Sequence, residues 1–153
     1  MLDEIPGIGR RSAERIIAET GVVMTQFRNA DHFSSWAGLV PGCNESAGKK
    51  KNARIRKGNQ FLKSTLVECA HSAIRHKDSY FYAKYCKLSA RRGSKRAIIA
   101  IAHSMALAIY HILLKKEHFV DLGSEYFNII YADKIKQRNI KSLEKLGFSV
   151  SLS

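Results

Sequence analysis

Residues 95–115 read KRAIIAIAHSMALAIYHILLK, and this stretch decides the fold. Apolar side chains occupy nearly every face of a helical wheel, through Ile98, Ile99, Ile101, Met105, Leu107, Ile109, Ile112 and Leu113. A helix without a continuous polar face belongs at the centre of a helical body. Outward from it, Phe61, Leu62, Leu66, Val67, Ala70, Ala73 and Ile74 follow the three-four spacing of a long helix over 59–76 with one buried face. Asp78 and Ser79 read as its terminator and the next cap, and residues 80–91 suit an aromatic-rich helix.

Toward the N-terminus, Ala13, Ile16 and Ile17 recur behind Arg10-Arg11-Ser12 as a short amphipathic helix that Gly21 stops. Another short helix runs from Asn29 or Asp31 to Trp36 or Ala37, ahead of the breakers Gly38, Pro41 and Gly42. Residues 38–58, rich in Gly and Lys, read as a basic loop or small hairpin. After Gly123 the pattern weakens: a helix is expected over 133–146, and the alternation over 148–152 reads as a strand or a tail. The expected class is mainly α, a single domain over 1–153. A hairpin and second helix of a helix-hairpin-helix motif fill 5–20, the basic loop 38–58, the helical body 59–123, and a C-terminal helix and tail 124–153.

The charge points to a polyphosphate partner. The 26 Lys and Arg against 13 Asp and Glu give a net charge of +13. From Ser46 to Lys116 only Glu68 and Asp78 are acidic, so that stretch carries +15 while the rest of the chain sums to −2. Lysines that merely solvate helix faces come mixed with acids, and these do not. Cys43, Cys69 and Cys86 lie far apart without a C-x-x-C pair, which argues against a zinc ribbon or a disulfide framework and for a reducing compartment. The first residues have no basic and apolar leader pattern, and no uninterrupted apolar run reaches the roughly 18 residues of a membrane span. The expectation is a cytoplasmic, nucleoid-associated bacterial protein with no membrane contact.

The sharpest local signal is Ile5-Pro6-Gly7-Ile8-Gly9. Pro6 sets the turn, Gly7 and Gly9 permit positive φ and close backbone approach, and Ile8 plugs the hairpin into the core. The amides that open the next helix would face a phosphate, with Arg10 and Arg11 adding ionic contacts. Only Met1 to Glu4 precede the hairpin, so the motif's first helix is lacking or a stub; the expectation is a piece of a longer protein, or a reading frame that begins downstream of a partner domain.

Further on stand Trp36-Ala37-Gly38-Leu39-Val40-Pro41, then Ser46-Ala47-Gly48, then Lys49, Lys50, Lys51, Arg54, Arg56, Lys57, Gly58 and Asn59, and last Arg91-Arg92-Gly93-Ser94-Lys95-Arg96. In this order the motifs resemble the "IS one-ten" group of bacterial insertion-sequence transposases, which are guided by a bridge RNA. The resemblance covers about 5–123, with Ala47 standing between a serine and a glycine that the family pattern places side by side. It implies a DNA strand-exchange domain of a recombinase with Ser46 as nucleophile on a phosphodiester. It also implies a separate N-terminal RuvC-like domain that binds Mg²⁺, a guide RNA and a homo-oligomer. No cofactor and no metal ligand is expected within this chain. The residues expected on DNA are Gly7, Ile8, Gly9, Arg10, Arg11, Lys49, Lys50, Lys51, Arg54, Arg56, Lys57, Asn59, Arg91, Arg92 and Lys95.

Other readings stay open beside it. A loop serine next to glycine is commonly a turn residue, and no His or Asp adjoins Ser46 to serve as base. A non-catalytic helix-hairpin-helix module, or a transposon remnant, would carry the same basic surface without chemistry. Tyr80, Phe81, Tyr82 and Tyr85 beside Lys84 and Lys87 suit either core packing or base stacking. His71, His76, His103 and His111 lack ligand spacing for a metal.

Overall fold

Along the described residues run seven α-helices: α1 (Arg10–Thr20), α2 (Ala30–Trp36), α3 (Gln60–Ala73), α4 (Tyr80–Arg92), α5 (Ser94–Lys115), α6 (Tyr126–Ile130) and α7 (Ala132–Lys145). Short 3₁₀ turns at Leu2–Glu4 and Met24–Gln26 flank α1. The computed structural model describes residues 1–41 and 57–149, with Asp133 and Ile135 as backbone only, and the backbone pairing of β1 (Glu45–Ser46) with β2 (Lys49–Lys50). That pair is antiparallel, with Ser46 opposite Lys49 and Glu45 opposite Lys50. The fold is mainly α, as expected, with a minimal hairpin inside the basic segment.

The stretch that decided the fold becomes its axis. α5 packs against α2, α3 and α4, and buries Ile98, Ile101, Met105, Ile109 and Ile112 among Leu62, Leu66, Phe33 and Phe81. By length and composition it is the one helix among the described residues apolar enough to span a bilayer, and half of its apolar window is buried inside the protein. Encasement by neighbours on several sides accounts for that composition.

Caps fix the helix limits. The side chains of Asn29, Asn59 and Ser79 accept from the backbone N–H of His32, Leu62 and Tyr82, and so open α2, α3 and α4. Asp121 adds a remote cap by accepting from the Tyr80 N–H at 2.9 Å, which pins the segment after α5 to the start of α4. At the other end of the chain Glu4 accepts from the Phe119 N–H and lies 2.7 Å from His118 Nδ1, a contact that holds the Glu4 carboxyl below its usual range.

The structure departs from the sequence reading at several points. α3 ends at Ala73, short of His76, and α6 was not foreseen. Phe61 and Ile17, placed on buried faces, are 77% and 37% exposed. Each lies one residue, about 100°, from a fully buried neighbour, Leu62 or Ile16. Gly9 does not use positive φ: its φ is −86°. Of the stretch expected as strand or tail, Phe148 and Ser149 are in neither helix nor strand, and Val150, Ser151 and Leu152 lie outside the described residues.

Gly7 and Gly9 therefore separate cleanly. Gly7 has φ +88°, and a Cβ there would overlap the Cys69 carbonyl and lie 2.5 Å from the Ala73 nitrogen, backbone atoms of α3 that cannot swing away. A Cβ on Gly9 would meet open space. Gly7→Ala is expected to cost about 3 kcal/mol from strain and overlap together. That corresponds to a melting-temperature drop of roughly 6–12 °C. Gly9→Ala should stay within about 0.5 kcal/mol. Thermal unfolding followed by far-UV circular dichroism checks both, and equal losses would contradict the packing described.

Candidate functional site

The hairpin before α1 is built as a turn. The Ile8 N–H donates to the Ile5 carbonyl at 2.9 Å, with Pro6 and Gly7 at the two central positions. Pro followed by a positive-φ Gly is the chemistry of a type II turn. Ile5 and Ile8 enter the core, so the loop is anchored on both sides of its tip. Burying Ile8 contributes about 1.5–3 kcal/mol. The turn delivers Gly9 as the N-cap of α1 without a capping side chain. The first α1 amides to bond inward begin with Ala13, which donates to the Gly9 carbonyl at 2.9 Å. Those before it are free to meet an anion at the positive end of the helix dipole. Arg10 and Arg11 stand exposed at the same place. Arg10 pairs with Glu14 at 3.0 Å while remaining 91% exposed, a pair worth only about 0.2–1 kcal/mol and readily exchanged.

The chain on either side of the Ser46 segment, at Trp36–Gly38 and at Gly58–Asn59, is clamped together. The Asn59 N–H donates to the Trp36 carbonyl at 3.0 Å. Gly58 lies so close to the Trp36 carbonyl and the Gly38 backbone that a Cβ there would fall 2.5 Å and 2.6 Å from Trp36 O and Gly38 Cα. Thus the motifs Trp36-Ala37-Gly38-Leu39 and Lys57-Gly58-Asn59, separate in sequence, form one joint. Asn59 holds it from both ends of its side chain: Oδ1 accepts from the Leu62 N–H at 2.9 Å, and Nδ2 donates to Glu19 Oε2 of α1 at 2.8 Å. A residue expected on DNA is thereby a positioning residue in this geometry, and its partner Glu19 had no signal in the sequence. Lys57 is exposed beside it. The side chains of Ser46, Lys49, Lys50, Lys51, Arg54 and Arg56, together with Cys43, lie outside the described residues, as does the Ala47-Gly48 step.

These contacts also set distances. Gly7 meets the last turn of α3, whereas Glu19, in the last turn of α1, meets the cap of α3. α1 and α3 are therefore antiparallel, and the hairpin lies at the opposite end of α1 from the clamped stems. Eleven residues of helix place the two roughly 16 Å apart. The third basic motif forms the tight corner between α4 and α5, where Gly93 takes φ +81° and Arg91, Arg92, Lys95 and Arg96 are all exposed. The other end of α4 is tied to Asp121, so the corner projects about 20 Å from that tie along the 13-residue helix. Among the described residues the exposed cations of the basic motifs thus stand at the start of α1, at the stem residue Lys57 and at the α4–α5 corner.

Among the described residues no three of His, Cys, Asp and Glu converge on a point that would hold a metal. His71, His76 and His111 are exposed. His103 is half-buried, and burial followed by the nearby Lys84 charge pushes its pKa down. Lys84 itself is turned inward, donating to Ser104 Oγ at 2.6 Å, and burial lowers its pKa. Phe81 is core, whereas Tyr82 and Lys87 remain partly or fully accessible.

Replacing Asn59 separates its two duties. Asn59→Ala, which removes both bonds, is expected to cost about 1–2 kcal/mol. Asn59→Asp keeps the capping oxygen but sets a carboxylate against Glu19, so its loss should shrink as pH falls and the carboxylates protonate. Denaturant titration at neutral and acidic pH reads both, and an Asp variant whose deficit grows with acidity would contradict the Glu19 contact.

Comparison with known proteins joins this geometry to a family. The sequence matches the family described as Transposase IS116/IS110/IS902 family over residues 1–86, which takes in the hairpin, the clamped stems, α3 and half of α4. It is 32% identical over 122 residues to the transposase for insertion sequence element IS1111A of Coxiella burnetii, an alignment that covers 77% of this chain and 33% of that protein. It is 33% identical over 72 residues to a probable family 20 transposase of Pseudomonas aeruginosa, over 46% of this chain and 21% of that protein. The chain thus spans a third or less of the length of these relatives. With the family pattern matched over more than half of its residues, the chain belongs to the IS116/IS110/IS902 family of transposases.

Proposed function

We propose that this chain holds DNA and contributes the nucleophile of strand exchange within a transposase. The observation that carries the reading is the joint at Trp36, Gly38, Gly58 and Asn59, which anchors the Ser46 segment rigidly at its base. In the register of the hairpin pair Ser46 stands opposite Lys49. The hairpin of a helix-hairpin-helix-like grip, with the α1 amides, Arg10 and Arg11, would hold backbone phosphates without reading sequence. Its distance from the stems, roughly 16 Å, corresponds to about five base steps at about 3.4 Å each.

In this reading the Ser46 Oγ bonds to phosphorus as the bond from phosphorus to a deoxyribose oxygen breaks. The serine proton passes to a base and the departing oxygen takes up a proton. The phosphoserine link keeps the energy of the phosphodiester, so attack by a hydroxyl of another strand reseals DNA without a further reactant. Among the described residues none converge as a metal site, and in this reading the base, with any Mg²⁺, falls to a separate RuvC-like carboxylate domain. A guide RNA and pairing of several protomers belong to the same reading.

Ser46→Ala in the transposase that contains this chain should lower recombination by roughly four orders of magnitude or more, as loss of a nucleophile does. Duplex binding should change less than about twofold. Recombination at the ordinary rate would overturn the assignment of Ser46. Independently, Arg10→Ala with Arg11→Ala should reduce the slope of log affinity against log salt by about 1.8, at about 0.9 per phosphate contact. An unchanged slope in a filter-binding titration would remove the hairpin from the DNA interface.

A further inference from the structure

α6 lies against α4, and with the start of α7 it leaves a groove of about 570 Å³, whose α4 wall carries the Tyr82 and Lys87 that suited base stacking in the sequence. Its walls carry Lys77, Lys87, Lys134 and Arg138 with the rings of Tyr82 and Tyr131, and no carboxylate among the described residues that line it. Lys87 Nζ stands 3.6 Å from the centre of the Tyr131 ring and 4.8 Å from that of Phe127, so aromatic faces are what its charge finds locally. None of the four cations makes a salt bridge among the described residues. The positive surface continues along α7, where Lys134, Arg138, Lys141 and Lys145 recur at steps of four, three and four and line a second depression of about 470 Å³.

From this we propose that the groove between α4 and α6–α7 binds unpaired nucleotides, with a base against Tyr82 and the sugar-phosphate chain running along the α7 lysines and Arg138. The recessed rings select the class. In a duplex the base faces are covered by their neighbours and only edges show in the grooves, whereas an unpaired base offers a free π face to an aromatic ring. A cationic track beside the rings is the other half of such a site. Core packing accounts for Tyr80, which meets Phe81, Tyr126 and Phe127 at 5.3–5.7 Å. It does not account for four cations brought together around a cleft with no acid among its described lining residues. This site is distinct from the hairpin and from Ser46, so its failure would leave the proposed strand-exchange role standing.

The test uses the 153-residue chain with fluorescent twelve-residue uridine and thymidine oligomers and a twelve-base-pair duplex at one salt concentration. Tyr82→Leu is expected to weaken both single strands about tenfold, as the loss of one base–ring stack does. The duplex should shift by less than about twofold. Equal affinity for uridine and thymidine, or a uridine preference that reports contact with the 2′-hydroxyl, supports the proposal. Cys86 is an exposed thiol in the groove wall, so bound oligomer should slow its alkylation, read by mass spectrometry. Should Tyr82→Leu lose helical dichroism, the exposed pair Lys134→Glu and Arg138→Glu replaces it, again with single strands affected more than duplex. Equal losses for duplex and single strands would overturn the proposal, as would Cys86 alkylation at full rate under saturating oligomer. A groove that instead joins two copies of the chain, with oligomer binding unchanged by the variants, would overturn it too.

Discussion

The close antiparallel contact of α1 with α3 is the constraint on which the rest of the molecule depends. It is fixed at one end by Gly7, whose missing side chain lets the hairpin lie on the backbone of Cys69 and Ala73, and at the other by Asn59, which bonds Glu19 while capping α3. Any side chain at Gly7 would push the hairpin off its support, and the amides of α1 would no longer hold a fixed direction. Because both ends are pinned, the distance from the hairpin to the base of the Ser46 segment is a property of two rigid helices, not of a loop.

The second glycine contact extends that constraint to the segment itself. Gly58 lies against Trp36 and Gly38, so the two stems leave the body side by side. Trp36 in turn packs on Phe27 and Phe33, and Phe33 approaches Tyr110 of α5 with ring centres 6.0 Å apart. The joint is therefore backed by the central helix. The two stems at Trp36–Gly38 and Gly58–Asn59 are thus held on the packed body and not on a loop of their own.

Much of this was legible in residue order. The all-apolar wheel of 95–115 gave the central helix, and Asn29, Asn59 and Ser79 marked three helix starts because their side chains compete for backbone donors only at such positions. Ile8 entered the core as its place between two glycines suggested. What stayed hidden depends on contacts between distant parts of the chain. Glu19 reads as an ordinary surface acid until α1 lies against Asn59, and Gly58 reads as a loop residue until Trp36 and Gly38 come within reach. Phe61 and Ile17 show the complementary limit: hydrophobicity alone does not resolve a single step of about 100° around a helix. α6 was missed because five residues are too few for a periodic signal, and the aromatic packing of Tyr126 and Phe127 on Tyr80 is what supports it.

The distribution of charge follows from the same architecture. α5, at the centre, carries its cations only at its ends, and among the described residues Arg75, Lys77, Arg91, Arg92, Lys95, Arg96, Lys115 and Lys116 stand where helices begin, end or turn. Where a helix begins, as at Lys95 and Arg96, its first backbone amides also lack helical partners, which adds directional donors to ionic attraction. Lys84 marks the exception: it sits mid-helix and half-buried, and it loses basicity instead of gaining an anion. In this chain, cations at the ends of short helices keep separations that one broad basic face would not fix. The spacing between its cations is set by helix length, which packing enforces, and not by mutual repulsion, which would only spread them.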